Sequence, residues 1–428
     1  MNALRDLSAY RARLAACVRC GACQAVCPTY RETGRESTVA RGKIELAAEI
    51  LAGRMTLDED NRRAFAACLL CGACTAACPN QVPTAAIVAA LRRESGMAGH
   101  SSSVSRGVAA LTGHPRLTRR LFGSARLLAP FFLKKVPETS GLRLRFAGQA
   151  LRNRVLPPLP KKSLFDLVPE RLPGQPGKPT VAFFAGCSIS YLYPDIGVAA
   201  IQLLHRLGYT VLLPQSQACC GMPATSSGRG ALAAELMQIN SQAFSGADTV
   251  ITACASCGGM LGHLYAEGED EAARQLAARV KDIHLFLQEE GQLAAFAALP
   301  RWRERSQVCW HDPCHLKNHG ITEAPRALLR ALPNVDFTDQ AGAALCCGLG
   351  GTFALTQAAL SRKIAGRKAA ALATAAAHGT ALVATGCPGC LLQISYIIHM
   401  EGLSLQAAHS ISLAWAALEQ AQADAIQP

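Results

Sequence analysis

The chain carries one cysteine pattern twice, first as Cys17-Val-Arg-Cys20-Gly-Ala-Cys23-Gln-Ala-Val-Cys27-Pro28 and again as Cys68-Leu-Leu-Cys71-Gly-Ala-Cys74-Thr-Ala-Ala-Cys78-Pro79. Both stretches read C-x2-C-x2-C-x3-C-P. Three thiolates at this spacing wrap one face of an iron–sulfur cubane, and the glycine after the second cysteine lets the backbone pass close to the sulfides. The pattern therefore predicts two 4Fe–4S clusters in an α-helical ferredoxin-type domain.

The fourth cysteine of each run points away from its own cluster and, in two-cluster ferredoxins, ligates the other one. Cluster one is therefore assigned to Cys17, Cys20, Cys23 and Cys78, and cluster two to Cys68, Cys71, Cys74 and Cys27. A zinc site, which needs four ligands and commonly uses paired C-x2-C knuckles, is the alternative. Two complete four-cysteine runs with a trailing proline favour iron–sulfur chemistry.

Between the runs lies Arg41-Gly42-Lys43, whose charges could bias a cluster potential, but a solvated helix start is the preferred interpretation of Lys43.

From residue 180 onward, strand and helix patterns alternate, which predicts βαβ units on a parallel sheet. The predicted strands are 180–185, 209–213 and 248–252, and the predicted helices are 196–207 and 231–245. The expected fold is thus a multidomain α/β chain. It has an α-helical ferredoxin domain at 1–100, a basic linker at 101–179, and two repeated βαβ domains at 180–300 and 301–428.

The second half of the chain is an internal duplication. Unit one contains Cys187, Cys219, Cys220, Cys254 and Cys257, and unit two contains Cys314, Cys346, Cys347, Cys387 and Cys390. In each unit these cysteines follow the carboxyl ends of predicted strands, where open parallel sheets bind ligands. We therefore expect five thiols to converge on one crevice per unit, for a metal cluster or for thiol redox chemistry. Cys309, in a predicted strand, is expected to be a buried free thiol.

Two histidines flank Cys314 in the sequence His311-Asp-Pro-Cys-His315. Each is interpreted as a ligand, a proton carrier, a hydrogen-bond donor to a cluster sulfur, or a plain structural histidine. Asp312 is expected to orient a histidine or to cap the following helix.

The charge is concentrated in one segment. The 428 residues have a net charge of +13, and residues 101–180 alone hold fifteen Lys and Arg against three acidic residues. This segment is expected to form a linker with one or two short amphipathic helices. It is also expected to contact either an anionic membrane surface or the acidic face of a partner protein. Liposome flotation distinguishes these two possibilities. No nucleic-acid-binding module accompanies the charge, so we expect no nucleic-acid partner.

The expected compartment is the cytoplasm, with peripheral contact on the inner face of the membrane. Met1–Tyr10 lacks the apolar stretch of a secretory signal, and nineteen clustered cysteines suit a reducing compartment. Ala369–Met400 has no Lys, Arg, Asp or Glu, but glycine and proline interrupt it. It is interpreted as a helix end, a buried strand and a cysteine loop rather than a membrane span.

The duplicated cysteine pattern behind a two-cluster ferredoxin module resembles the cysteine-rich CCG-domain proteins. That family includes the iron–sulfur subunit of glycolate oxidase and D-lactate dehydrogenases, a subunit of anaerobic glycerol-3-phosphate dehydrogenase, and the catalytic subunits of heterodisulfide reductase. Thr29-Tyr30 and Ala40-Arg41-Gly42-Lys43 are similar to the glycolate oxidase subunit. Cys254-Ala-Ser-Cys257 keeps both cysteines, which leans towards the heterodisulfide reductase type, whereas Cys346–Phe353 leans towards lactate-utilisation proteins.

The resemblance implies an electron-transfer subunit that receives electrons from a flavoprotein oxidising glycolate or D-lactate and passes them towards a quinone. Gly348-Leu-Gly350-Gly351 lacks the dinucleotide spacing G-x-G-x-x-G, so the flavin and the substrate site are expected on another chain. The alternative is a heterodisulfide-reductase-like subunit that reduces a disulfide at a CCG cluster. One further iron–sulfur cluster in each CCG unit would suit either function.

Protein purified without oxygen should contain at least about eight iron atoms, four for each cubane. Cys20→Ser and Cys71→Ser should each remove one cluster, since each removes a ligand from a different set. Iron and zinc analysis with the visible spectrum tests this. Zinc near two equivalents without charge-transfer absorbance would contradict it.

Overall fold

The computed structural model describes residues 5–97, 107, 133–136, 141–144 and 157–426. Its first part is helical, as predicted. The helices of this domain are Ser8–Tyr10, Arg11–Ala15, Ala22–Val26, Pro28–Thr33, Glu36–Thr38, Ala40–Leu51, Glu59–Ala66, Ala73–Ala76 and Thr84–Met97. Helices Ala40–Leu51 and Thr84–Met97 contribute most of its apolar core, which contains Ile44, Ile87 and Leu91. Short helices between the cysteines suit a domain that must bend its backbone around two clusters.

The predicted basic linker is only partly described. Strands β1 (Leu133–Val136) and β2 (Gly141–Leu144) pair antiparallel, so this stretch is not one of the expected amphipathic helices. Helices predicted for the rest of the segment lie outside the described residues, as do Arg119 and Arg120. The linker also ends earlier than residue 179, because Leu164, in helix Leu164–Leu167, is fully buried in the core of the following domain.

Unit one forms a five-stranded sheet. Its strands are β3 (Arg171–Leu172), β4 (Thr180–Phe184), β5 (Thr210–Leu212), β6 (Val250–Thr252) and β7 (Val280–Asp282). The spatial order is β3-β5-β4-β6-β7, and all neighbours are parallel except β3, which pairs antiparallel to β5. The helices are Gly186–Tyr191, Pro194–Arg206, Met222–Ser226, Gly230–Ala243, Ala255–Gly259, Met260–Leu264, Glu271–Arg279, Ile283–Glu289 and Leu293–Ala297. The parallel sheet predicted from the alternating pattern is confirmed.

Unit two repeats this topology. Its strands are β8 (Ser306–His311), β9 (Val335–Phe337), β10 (Leu382–Thr385) and β11 (Gln406–His409), ordered β9-β8-β10-β11 and all parallel. The helices are Cys314–Lys317, Glu323–Ala331, Phe353–Thr356, Ala358–Ala377, Pro388–Met400 and Ser410–Ile426. Strand β8 takes the place of β4, and β10 takes the place of β6. The internal duplication is therefore visible in the sheet order as well as in the cysteine spacing.

The two units share one hydrophobic core. Helix Ser410–Ile426 of unit two packs against helix Pro194–Arg206 of unit one. Apolar side chains of both sheets, including Phe183 and Trp310, belong to the same buried cluster. The sequence boundary at residues 300 and 301 thus separates two repeats but not two cores.

The uncharged stretch Ala369–Met400 is the end of helix Ala358–Ala377, strand β10 and helix Pro388–Met400. This matches the predicted helix end and buried strand, although the cysteine loop leads directly into a helix. Among the described helices, none combines the length and apolar character that a membrane span requires.

The ferredoxin domain docks on unit one through a contact between two glycines. A Cβ atom on Gly96, in helix Thr84–Met97, would lie 2.1 Å from the carbonyl oxygen of Gly228. A Cβ on Gly228 would in turn lie 2.2 Å from the carbonyl oxygen of Arg92. The helix and the loop can approach this closely only because neither residue has a side chain.

Gly96→Ala should lower the free energy of unfolding by roughly 1–3 kcal/mol, because the new methyl group overpacks the docking contact. Gly366→Ala is the matched control, since Gly366 is also helical and a Cβ there meets nothing within 4 Å. The control should raise stability by up to about 1 kcal/mol through helix propensity. Thermal unfolding of both variants tests this, and equal effects would contradict it.

Candidate metal centres

Both ferredoxin motifs bend the backbone in the same unusual way. The residue before the second cysteine, Arg19 or Leu70, has a left-handed backbone with φ of 56° and 53°, and Gly21 and Gly72 follow with φ of 84° and 77°. Such a conformation in a non-glycine residue costs roughly 1–3 kcal/mol and persists only where the surroundings impose it. The bend turns the Leu70 amide towards the Cys68 sulfur, at 3.4 Å. The loop is shaped to surround a group that accepts amide hydrogen bonds on sulfur.

The eight ferredoxin cysteines line two small cavities. One cavity is bordered by Cys17, Cys20, Cys23 and Cys78, with Cys74 at its edge. The other is bordered by Cys27, Cys68, Cys71 and Cys74. Cys27 thus lies with the first three cysteines of the second motif, and Cys78 with those of the first motif. This is the arrangement assigned to clusters one and two.

Lys43 is buried beside the cluster-two cysteines. Its side chain is 2% exposed, and it lines the cavity that Cys27 and Cys68 border. The Lys43 ammonium donates a hydrogen bond to the carbonyl oxygen of Thr38, and burial lowers the Lys43 pKa. The prediction of a solvated helix start is therefore wrong. Helix Ala40–Leu51 begins three residues earlier and turns Lys43 inward.

Arg92 is a second cation at the same site, and it is half-buried. Its guanidinium donates to the carbonyl oxygens of Phe65 at 2.8 Å, Ala66 at 3.1 Å and Ser226 at 3.2 Å, and also to that of Cys68. Burial lowers the pKa of Arg92. The side chain thus joins the ferredoxin domain to unit one directly behind the cluster-two loop.

The residues around cluster two fit an anionic metal cluster. Within the described part of the chain, no carboxylate lies within ion-pair distance of Lys43 or Arg92. Burying Lys43 and partly burying Arg92 is costly unless an opposite charge accompanies them. Four thiolates holding a cluster supply that charge, and soft thiolates are the ligands that iron–sulfur centres use.

In unit one, the five predicted cysteines form a connected series. The sulfurs of Cys187 and Cys219 are 3.7 Å apart. Hydrogen bonds from Cys219 and Cys257 lower the pKa of Cys220 to about 5, and Cys257 also bonds to Cys254. All except Cys187 are buried. A thiolate that neighbouring thiols stabilise is the ligand form for a metal.

In unit two, the sulfurs of Cys347 and Cys390 are 3.7 Å apart. Hydrogen bonds from Cys346 and Cys390 hold the pKa of Cys347 well below its usual value. Burial, with the charges of Cys347 and Cys387, raises the pKa of Cys314 to about 12. Buried His311 completes the group, and burial lowers its pKa, so the imidazole is neutral near pH 7.

The two units meet at Cys254 and Cys387. A hydrogen bond from Cys254 and another from Cys390 hold the pKa of Cys387 well below its usual value. The Ser256 hydroxyl lies 3.4 Å from the Cys387 sulfur, and the Ala255 amide donates to the carbonyl oxygen of Gly386 at 3.2 Å. Two separate crevices were expected, but the cysteines of both units form one continuous group.

Unit two also contacts the cluster-two loop. The His315 ring donates from Nε2 to the carbonyl oxygen of Leu70 at 3.1 Å, and the Asn318 amide donates to that of Cys71 at 2.8 Å. Between these parts lies a cleft of about 590 Å³, lined by Cys71, Cys314 and Cys346 among others. His315 thus bridges the ferredoxin domain and unit two, and the cleft opens the unit-two cysteines towards solvent.

Asp312 does not act as predicted. Its carboxylate accepts from the Trp310 indole at 2.8 Å and from the Arg326 guanidinium at 2.7 and 2.9 Å. Despite burial, the bonds from Arg326 hold the pKa of Asp312 below its usual value. The carboxylate therefore fixes helix Glu323–Ala331 to the end of β8 and neither orients a histidine nor caps a helix.

Cys309 is buried in β8, as predicted.

Sequence reasoning missed two cations near the cysteines, half-buried Arg92 and buried Lys368. Lys368 is 2% exposed, and its ammonium donates to the carbonyl oxygens of Gly342 at 3.0 Å and Ala343 at 3.4 Å. Both residues lie on helices, where lysine and arginine normally face solvent. No pattern in the chain marks them, so only the packing reveals their proximity to cysteines.

Comparison with known proteins agrees with this geometry. The model of the cysteine-rich domain matches residues 181–262 and 308–395, and that of the 4Fe-4S dicluster domain matches residues 13–82. The probable glycolate oxidase iron–sulfur subunit of Bacillus subtilis is 33% identical, over 91% of this chain and 90% of its own. Lactate utilization protein A of Geobacillus kaustophilus is 33% identical over 54% and 95% of the two chains. A fumarate reductase (CoM/CoB) subunit of Methanothermobacter marburgensis is 30% identical over 54% and 44%.

Lys43→Met should make the reduction potential of cluster two more negative, because a buried positive charge stabilises the added electron. The expected shift is about 59 mV or more, the equivalent of a tenfold change in a one-electron equilibrium. Redox titration followed by electron paramagnetic resonance measures it. Arg41→Met is the control, because Arg41 is paired with Glu36 near the surface. An equal shift in both variants, or none in Lys43→Met, would count against a role of the buried charge.

Proposed function

This chain belongs to the family of glycolate oxidase iron–sulfur subunits, and from that membership we propose that it carries electrons from a flavoprotein dehydrogenase towards a quinone. The flavoprotein would oxidise glycolate or D-lactate, in keeping with the names of the Bacillus subtilis and Geobacillus kaustophilus relatives. The chain is accordingly a subunit of an oxidoreductase complex, and bound iron–sulfur clusters supply one-electron chemistry at its cysteine sites.

The observation that carries the proposal is the order of the cysteine sites. The cluster-one cysteines neighbour those of cluster two, the Cys71 loop touches unit two, and unit two joins unit one at Cys254. Each cysteine set therefore adjoins the next. An uninterrupted series of this kind suits a protein whose task is to move electrons between two remote partners.

The proposed entry point is the exposed loop at cluster one. Cys20 is exposed, and Val18, two residues before it, is 67% exposed. An exposed cluster ligand is a place where a flavoprotein can approach close to the electron acceptor. Flavin and substrate would then be held by the partner, in line with the absence of a dinucleotide fingerprint around Gly348.

The proposed exit is the cleft beside unit two. It is the place where Cys314 and Cys346 border a space of about 590 Å³, with Lys317 and Arg31 at its walls. A membrane quinone would be reached there directly or through a further carrier. We also propose that the protein works at the cytoplasmic face of the membrane, where the basic segment 101–180 would contact anionic lipid.

A second candidate function is reduction of a disulfide in the units. Both units keep a full set of five cysteines, and the two sets meet at Cys254 and Cys387. One relative that matches half of the chain is named as a fumarate reductase (CoM/CoB) subunit. A pair of adjoining thiol-rich sites would suit an acceptor that needs two electrons at once.

The test is rapid reduction and reoxidation of the full chain. With 2-hydroxy acid as the donor, visible bleaching should occur only after the flavoprotein partner is added. Reoxidation by a quinone analogue should then be fast in the wild type and strongly slowed in the Cys220→Ser/Cys347→Ser double variant, because a route through the units is interrupted. Cys309→Ser is the matched control, since Cys309 lies in β8 outside the ten cysteines of the two units.

Three outcomes separate the candidates. Turnover of glycolate or D-lactate by the chain alone would contradict the need for a flavoprotein. Fast reoxidation by a disulfide, with none by the quinone analogue, would replace the first function with the second. Unchanged reoxidation by both acceptors in the double variant would show that the units are structural.

A further inference from the structure

His311 is the buried side chain that the fold leaves least satisfied. It is 1% exposed at the end of β8, and neither Nδ1 nor Nε2 makes a hydrogen bond of normal geometry to a described residue, although the Cys347 sulfur is close enough to influence its pKa. Leaving one buried polar atom unpaired costs about 1–3 kcal/mol, and here two atoms of one ring are unpaired. This cost would be removed if a bound group that is not a protein side chain contacted the His311 ring.

One ring nitrogen of His311 lies near the unit-two thiols. A nitrogen of His311, the Cys347 sulfur and the Cys390 sulfur all lie within 4.8 Å of one another, and all three residues are buried. A neutral imidazole has one N–H donor and one lone pair. The nitrogen beside Cys347 and Cys390 can present its lone pair to that site while the other nitrogen carries the proton, and a thiolate has no proton to give to the lone pair. Iron is a group that accepts that lone pair.

Unit one provides an internal comparison. Phe184 stands three residues before Cys187, as His311 stands three residues before Cys314, and both residues end the equivalent strands β4 and β8. The Phe184 ring and the Cys257 sulfur both border the same point, the place of a Cβ on Gly186. The same location beside the last cysteine of a unit thus holds an apolar ring in unit one and an imidazole in unit two.

We propose that His311 supplies a nitrogen ligand to iron in unit two, so that unit two is a mixed thiolate and imidazole centre while unit one binds metal through thiolates alone. The inference rests on the proposed metal binding by the units. A neutral imidazole adds no negative charge to the centre, so the potential of unit two stays higher than it would with a further thiolate in that place. The buried Lys368 ammonium, which borders the same cysteines, acts in the same direction. Unit two is then the more oxidising of the two sites.

The test is pulsed electron paramagnetic resonance of the full chain, reduced and purified without oxygen. Protein grown with ¹⁵N-histidine should show one strongly coupled nitrogen whose frequency differs from that in ¹⁴N protein. This comparison uses the wild type alone, so it does not depend on the folding of a variant. Weak couplings only, of the size that peptide nitrogens give, would overturn direct ligation.

Two variants locate the nitrogen. His311→Phe, which copies unit one, should abolish the strong coupling. His311→Cys should retain the iron while it also loses the coupling. His315→Gln is the control and should keep the coupling, because the His315 Nε2 atom is engaged with Leu70; loss of the coupling in this variant would instead assign it to the His315 Nδ1 atom, which lies 3.7 Å from the Cys314 sulfur. A coupling that survives in His311→Phe would overturn the assignment.

Iron analysis separates this inference from the proposed function. If only the iron of the two ferredoxin clusters is found, unit two is not metallated and the inference falls, whatever the flavoprotein assay shows. If the strong coupling is present but the 2-hydroxy acid does not reduce the protein, the ligand assignment stands and the proposed donor is wrong.

Discussion

The contact between Cys254 and Cys387 is the constraint on which the second half of the molecule depends. Each residue follows the carboxyl end of the same strand in its own repeat, β6 or β10. Two βαβ units can bring these positions together only if their sheets face one another at the edge where parallel sheets bind ligands. The shared hydrophobic core, with helix Ser410–Ile426 against Pro194–Arg206, holds them in that arrangement. The duplication thus produces one thiol-rich interior rather than two copies of a site.

Charge distinguishes sites that the cysteine pattern makes look alike. Cluster two has buried Lys43 and half-buried Arg92 behind it, and unit two has buried Lys368, and none of the three has a carboxylate partner among the described residues. The charged neighbours of cluster one, such as Arg19 and Arg41, lie nearer the surface and are paired with Glu45 and Glu36. Screening by water and by these carboxylates weakens their influence, whereas a buried cation acts through a medium of low dielectric. The protein can therefore give four similar sites different reduction potentials without changing their cysteine ligands.

Much of this architecture follows from the sequence, because cysteine spacing and strand periodicity are local signals. The two cavities receive Cys27 and Cys78 as the motif spacing predicts, and the sheet order repeats as the duplicated C-C-G predicts. The orientation of Lys43 and the pairing of Asp312 with Arg326 could not be predicted, since each depends on residues that only the tertiary fold brings close. The meeting of Cys254 with Cys387 belongs to the same class: a sequence pattern marks the repeat, but not the way in which one repeat faces the other.

The position of the cysteines along the chain also sets the order in which the protein can mature on the ribosome. Every ligand assigned to the two ferredoxin clusters has been synthesised once the ribosome passes Cys78. Cys254, by contrast, can meet Cys387 only much later, and the core shared with unit one is incomplete until Ser410–Ile426 is synthesised. Because domains generally fold from the amino terminus during synthesis, iron delivery divides into an early and a late phase. A cell short of iron in the late phase would accumulate chains with two finished clusters and ten unprotected thiols, which are targets for oxidation or for quality control.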